Sequence, residues 1–203
     1  MSNIVSKFRK SAAIWAPIVA IIFLLFVTVV PYYNKAVVLQ ENAKTSWANV
    51  ESAYQRRADL IPNLVATVKG YAKHEKETLE AVIKARAAAT QTKIDPTNIT
   101  PEQLAQFQQA QQGLSGALSR LLVTVEKYPD LKADKNFLEL QSQLEGTENR
   151  IKIERDRFNK DVNTYNIHIK KLPGSLFAGM LGFKEMARFA SEKGAEKAPK
   201  VEF

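Results

Sequence analysis

The chain has 203 residues, 45% of them hydrophobic and only eight each glycine and proline, which excludes a disordered chain and points away from a turn-rich all-β fold. That length allows one domain of ordinary size plus an appendage. The net charge is +8, and the absence of cysteine excludes disulfides and thiolate metal ligands.

Ser11 to Asn34 carry no charge, and within them "IWAPIVAIIFLLFVTVV", Ile14 to Val30, is apolar apart from one threonine. About 20 such residues, rising ~1.5 Å each, cross a hydrocarbon core of roughly 30 Å. Pro17 lies near the start, where a helix tolerates it, and Trp15, Tyr32 and Tyr33 are placed as interfacial aromatics. A cleaved signal peptide is the alternative, with Lys7, Arg9 and Lys10 as its basic region. The apolar run exceeds the usual length of such a peptide, and "TVVPYYNKA" has no small-x-small cleavage site, so residues 11–34 are read as an uncleaved anchor. The positive-inside rule then puts residues 1–10 in the cytoplasm and the chain from Lys35 onward on the far side, periplasmic if the membrane is a bacterial inner membrane. Three positive charges precede the span with no acid among them, leaving +5 for the outer part. So modest an excess argues against a nucleic-acid partner and fits attraction to anionic head groups.

Beyond the anchor, Trp47, Val50, Tyr54, Ile61, Leu64, Val68, Tyr71 and Val82 recur at helical spacing, with Arg57, Glu75 and Thr78 where the seam turns polar. "TKIDPTNITPEQ" breaks the pattern, and Thr100, Pro101 and Gln103 form a capping box that starts a new helix. Its Asn98-Ile99-Thr100 marks an exposed loop and carries no weight as a glycosylation site. The new helix has its seam at Leu104, Phe107, Leu114, Leu118, Leu121, Val125 and Tyr128, and Pro129 stops it. Gly113 and Gly116 inside it cost roughly 1 kcal/mol each relative to alanine, which close approach of a neighbouring helix would offset. A last long helix starts at the N-cap Asp134, carries Phe137, Leu140, Leu144, Ile151, Phe158, Val162, Tyr165 and Ile169, and ends before Pro173.

The fold class expected is all-α: a transmembrane helix followed by an elongated antiparallel up-and-down four-helix bundle over residues 35–172. A reversal at Arg57 to Pro62, with Asp59 as N-cap, gives helices near 35–57, 60–91, 102–127 and 135–170. The even seam through residue 57 favours continuity instead, and a kinked helical stalk feeding a three-helix bundle is the alternative. Residues 173–203 form a tail. There Leu176, Phe177, Met180, Leu181, Phe183 and Phe189, with Met186 and the basic Lys184, Arg188 and Lys193, suit either an amphipathic helix on the membrane surface or a cap on the open end of the bundle.

The chemistry-bearing residues are sparse. His74 and His168 fall on different helices without a second histidine at helical spacing, so no metal or other cofactor is expected and both are read as solvated. Glycine-rich phosphate loops and nucleophile elbows are absent from the sequence. Glu148, Glu154 and Asp161 are carboxylates without an evident pocket, and no small-molecule substrate is identified. Arg57 is the exception, a charge in a seam, and its candidate ion-pair partners are Glu154 and Asp59. Such a pair fixes helix register in the manner of a coiled coil; the functional alternative is an oligomer contact or a relay.

"QRRADLIPNLVATVKGYAKHEKETLEAVIKARAAA", "ENRIKIERDRFNKDVNTYNIHIKKLPGSLFAGMLGF" and the terminal "APKVEF" resemble the LemA family of bacterial membrane proteins. The resemblance implies an N-terminal anchor with an extracytoplasmic helical bundle and brings no reaction or catalytic residue. Some relatives are linked to a specialised membrane organelle and others are encoded beside a membrane metalloprotease. Phe158 stands where relatives often have tyrosine, which puts a role for a hydroxyl there in doubt. The function expected is a non-catalytic, single-pass membrane scaffold or adaptor that binds protein partners, itself or the membrane surface. An accessory subunit of a membrane enzyme such as a metalloprotease is the alternative.

Overall fold

The computed structural model describes the backbone of residues 2–190 and the side chains of residues 15–190. It is helical, with no strand among the described residues: α1 Ser2–Tyr71, α2 Lys76–Gln91, α3 Pro101–Val125, the short α4 Pro129–Lys132, α5 Lys135–Lys170 and the short α6 Ser175–Ala178. The described residues divide into two compact units, residues 2–41 with 164–185 and residues 42–163 with 186–190.

The first helix settles the question raised by Pro62. It does not reverse between Arg57 and Pro62; α1 continues to Tyr71, and the chain turns at residues 72–75 instead. Asp59 is therefore no N-cap, and its carboxylate accepts from Gln55 within the helix at 2.7 Å. Two physical reasons account for the continuity. The seam keeps its phase, with Trp47, Val50, Tyr54, Arg57, Ile61, Leu64 and Val68 all buried. In addition, Pro62 lacks the N–H that would bond the carbonyl of Ala58 four residues back, and Arg86 of α2 supplies the missing donor, its Nε lying 2.7 Å from that oxygen. A proline that would strand a buried carbonyl is thus tolerated because the neighbouring helix satisfies it.

In the second unit four helical segments pack in alternating directions: α1 from residue 42, α2, α3 and α5 to residue 163. Their core holds Ile61, Leu64 and Val68 of α1, Leu79, Val82 and Ala89 of α2, Leu114, Leu118, Leu121 and Val125 of α3, and Phe137 at the start of α5. Cross-helix bonds reveal the register. Tyr71 donates to Asp134 at 2.9 Å and Arg57 reaches Glu148 at 2.9 Å, so fourteen steps back along α1 match fourteen steps on along α5. Ten steps further, Trp47 meets Phe158 at 5.3 Å between ring centroids. The two helices are antiparallel, as the up-and-down arrangement requires.

The caps read from the sequence are present. Thr100 accepts from the Gln103 N–H while the Gln103 side chain accepts from the Thr100 N–H, both at 3.2 Å, with Pro101 at the first helical position. Asp134 accepts from the Phe137 N–H at 2.9 Å. That bond first, and the Tyr71 hydroxyl next, hold the Asp134 carboxyl below its ordinary range.

The two glycines of α3 depart from expectation. Nothing lies within 4 Å of a side chain added at Gly113, and at Gly116 the nearest group is the flexible end of Arg120 on the same helix. No close approach offsets their cost. Gly113→Ala is therefore expected to stabilise the protein by about 1 kcal/mol through helix propensity alone. Thermal unfolding of the variant checks this, and a loss of stability would show that something outside the chain needs the bare backbone.

Up to residue 190 the tail forms no helix beyond the short α6, and Lys193, counted among its basic residues, lies outside the described residues. After α6 the chain turns at Gly182, whose φ of 81° lies in the region open to glycine, and runs without regular structure to residue 190. Phe183 and Phe189, expected on one lipid-facing surface with Leu176, Phe177, Met180 and Leu181, are instead buried. Phe183 packs against Tyr33 in the first unit, at 5.5 Å between centroids. Phe189 enters the core of the second unit beside Trp47 and Phe158, at 5.9 and 5.6 Å. Burial of two phenylalanines outweighs the helical pattern of the tail, and Leu181 and Phe177 are left half-buried while Leu176 and Met180 stay exposed.

Candidate functional site

The segment with most chemistry in the sequence, around Arg56 and Arg57, also borders two clefts of the second unit. Arg57 occupies a seam position of α1 and is buried, so every donor it carries must find an acceptor inside the protein. One terminal nitrogen donates to Ser115 Oγ at 3.0 Å and to Glu148 Oε2 at 2.9 Å. The other donates to the Gln111 side-chain oxygen at 2.5 Å and to its backbone carbonyl at 3.4 Å. Gln111 in turn donates to the Ala89 carbonyl of α2 at 3.2 Å. The guanidinium lies 5.1 Å from the centroid of the Tyr54 ring, and its Nε alone has no hydrogen-bond partner. One arginine thus joins α1 to α3 and α5 directly, and to α2 through Gln111.

The partners expected from the sequence were different. Glu154 is buried, but each of its oxygens takes an arginine of its own helix, Arg150 at 3.3 Å and Arg157 at 3.3 Å. The antiparallel register sets Glu148, six residues earlier, opposite Arg57, and Asp59 sits on the outer side of α1 bonded to Gln55. Asp161 accepts from Ser46 of α1. Arg57 was legible as a buried charge needing an acid; which acid depends on how two long helices align, and no local signal encodes that.

Two clefts flank this tie. The larger, about 910 Å³, is lined among others by Glu51, Tyr54, Arg56, Lys93, Phe107 and Gln111. The smaller, about 460 Å³, is lined by Asn49, Ser52, Arg56, Gln143, Thr147 and Arg150, with Ala53 and Gly146. Burial raises the Glu51 carboxyl above its ordinary range, against the opposing pull of Lys93. Arg56 is exposed and borders both clefts. Their linings can hydrogen-bond an anionic or extended peptide group.

Neither histidine lines either of these clefts. His74 is exposed in the turn after α1. His168, read from the sequence as solvated, instead stacks on Tyr32 within the first unit, with centroids 4.7 Å apart and Nε2 3.2 Å from the Tyr32 carbonyl oxygen. Among the described residues no three histidines, aspartates or glutamates lie together as a metal site would need.

A further polar clamp escaped the sequence reading. The Asn159 side chain accepts from the Phe189 N–H at 2.8 Å and donates to the Phe189 carbonyl at 3.2 Å, while Arg155 lies 4.7 Å over the Phe189 ring. It holds an extended segment as a neighbouring strand would, and an asparagine in a helical seam is its only sequence signal.

Within α1 one stretch is long and apolar enough to cross a membrane. Among curated proteins, the chain is similar to the magnetosome protein MamQ of Magnetospirillum gryphiswaldense, 29% identical over 189 residues that cover 85% of this chain and 69% of that protein. It is similar to the same extent to the magnetosome proteins MamQ 1 and MamQ 2 of Paramagnetospirillum magneticum. The family model for the LemA family matches residues 46–203, which include the Arg57 tie and the Asn159 clamp. The chain belongs to the LemA family.

Proposed function

We propose that this protein is a non-catalytic, membrane-anchored helical scaffold or adaptor. The observation that carries the reading is the fate of Arg57: the most reactive-looking group of the signature segment is spent on Ser115, Gln111 and Glu148, where it fixes the register of the bundle. A framework so fixed presents surfaces, here the clefts bordered by Arg56 and the outward-facing Ile83, Val123, Leu138 and Ile153. The names of the relatives, magnetosome proteins, agree with a role in organising a membrane compartment. The basic Lys7, Arg9 and Lys10 ahead of the span support an N-terminus in the cytoplasm and a bundle outside it, at the cell's inner membrane.

Purification of the full chain in mild detergent, followed by native mass spectrometry, tests this. A homo-oligomer, or a stoichiometric complex with another membrane protein, is the expected result. Co-purification with a membrane metalloprotease would assign the adaptor to an enzyme complex. A monomer without a bound protein would overturn the proposal.

A further inference from the structure

We propose that the turn at residues 172–180 inserts Leu172, Leu176 and Met180 into the bilayer that holds the apolar span. The proposal names a lipid contact for the membrane-anchored protein inferred above. It rests on the first unit alone, which contains both the end of the span and this turn.

The position of the turn comes from its contacts. Tyr32 and Tyr33 follow, after Pro31, on the apolar run that ends at Val30, the place where aromatic side chains settle at a lipid–water interface. Gly174 packs so closely on Tyr32 that any side chain added there would overlap the tyrosine ring. His168 stacks on the same ring, and Phe183 packs on Tyr33. The Tyr165 hydroxyl donates to the Lys184 carbonyl at 2.9 Å, closing the base of the turn. The segment is therefore held at the level of the interface by the residues that mark it.

The composition of the turn then selects the occupant. Its inward residues, Ala178 and Phe183, are buried, while Leu172 is 76%, Leu176 66% and Met180 87% exposed. Three large apolar side chains left open on one short turn mark a contact surface. This surface is continuous in kind with the exposed Phe23, Leu24, Phe26 and Val27 of the span, which only lipid or another membrane helix can cover. Lys171 precedes the turn and Lys184 follows it, both exposed, while Lys170 is paired with Glu185 at 2.5 Å, so that one cationic side chain on each side of the apolar tip faces outward as phosphate head groups require. A lipid surface matches apolar tip and basic flanks together, beside a span whose own exposed side chains need an apolar surrounding.

The chain has no native cysteine, so Met180→Cys and Leu176→Cys each provide a single site for an environment-sensitive fluorophore. Ser119→Cys, at an exposed polar position on α3 outside both clefts and the apolar surface, serves as the solvent reference. With the labelled full-length chain reconstituted in vesicles of zwitterionic and anionic phospholipid, both turn labels are expected to emit to the blue of the reference and to be quenched by lipids carrying a nitroxide. Emission like that of the reference, or the absence of quenching at either turn site, overturns the proposal. Blue-shifted emission without lipid quenching assigns the turn to a protein contact and overturns it equally. Failure here leaves the scaffold reading standing, since that reading is decided by what co-purifies and not by lipid depth.

Discussion

Replacing Arg86 with leucine is expected to destabilise the protein by about 1–3 kcal/mol, because it leaves a buried carbonyl without a donor. The carbonyl is that of Ala58, which Pro62 cannot serve and Arg86 Nε now bonds at 2.7 Å. In a chain of this length such a loss corresponds to a fall in melting temperature of roughly 2–4 °C per kcal/mol. The sharper test is the double-mutant cycle. Pro62→Ala restores an N–H within helical reach of Ala58, so in that background Arg86→Leu should cost much less, with a coupling of about 1 kcal/mol or more. Equal costs in the two backgrounds, measured by thermal unfolding in detergent, would show that Arg86 acts by packing alone. The chemical content of the prediction is that one arginine on α2 permits a 70-residue helix to run through a proline.

Glu148→Ala should be more damaging than Arg57→Leu, although arginine is the buried member of the pair. The Arg57 side chain is 3% exposed and that of Glu148 58%. Removing Glu148 leaves a guanidinium inside the bundle with only the neutral Ser115 and Gln111 for partners, at an expected cost of about 2 kcal/mol; the figure lies below that for a fully buried pair because water reaches the carboxylate side. Arg57→Leu instead releases Glu148 to solvent and fills the seam with an apolar side chain, and the Gln111 oxygen it leaves without a donor borders the larger cleft, so the loss should be about 1 kcal/mol. The double variant should be no less stable than Arg57→Leu. Denaturant unfolding of the three variants decides the matter, and the reverse order of stabilities would mean that the arginine holds the bundle together in a way the pair geometry does not explain. If Arg57→Leu keeps its stability yet loses the oligomer or bound partner, the arginine has a role beyond register.

Helices, caps and the apolar span were legible from local chemistry. The capping box at Thr100, the N-cap at Asp134, the ends of α5 and the seam from Trp47 to Val68 each depend on residues within a few turns of one another, where side-chain spacing and backbone hydrogen-bonding needs decide the outcome. The uninterrupted phase of the seam at Arg57 and Ile61 even carried the sign that α1 continues, although Pro62 pointed the other way. Three matters were settled only when distant residues met. Proline was tolerated because Arg86, far along the chain, could reach Ala58. Arg57 chose Glu148 over Glu154 because α1 and α5 align from the Tyr71–Asp134 contact, and a shift of six residues in register costs nothing that local sequence can reveal. Up to residue 190 the tail gave up its helical pattern because Phe183 buries itself against Tyr33 and Phe189 against Trp47 and Phe158, and burial there exceeds what one amphipathic turn could supply in water. Periodicity and caps are properties of the chain alone, so the sequence by itself determined that this is a helical protein with an N-terminal stretch long and apolar enough to cross a membrane. Partner choice depends on long-range register, and only the tertiary structure decided which charges are paired and which apolar side chains are left exposed.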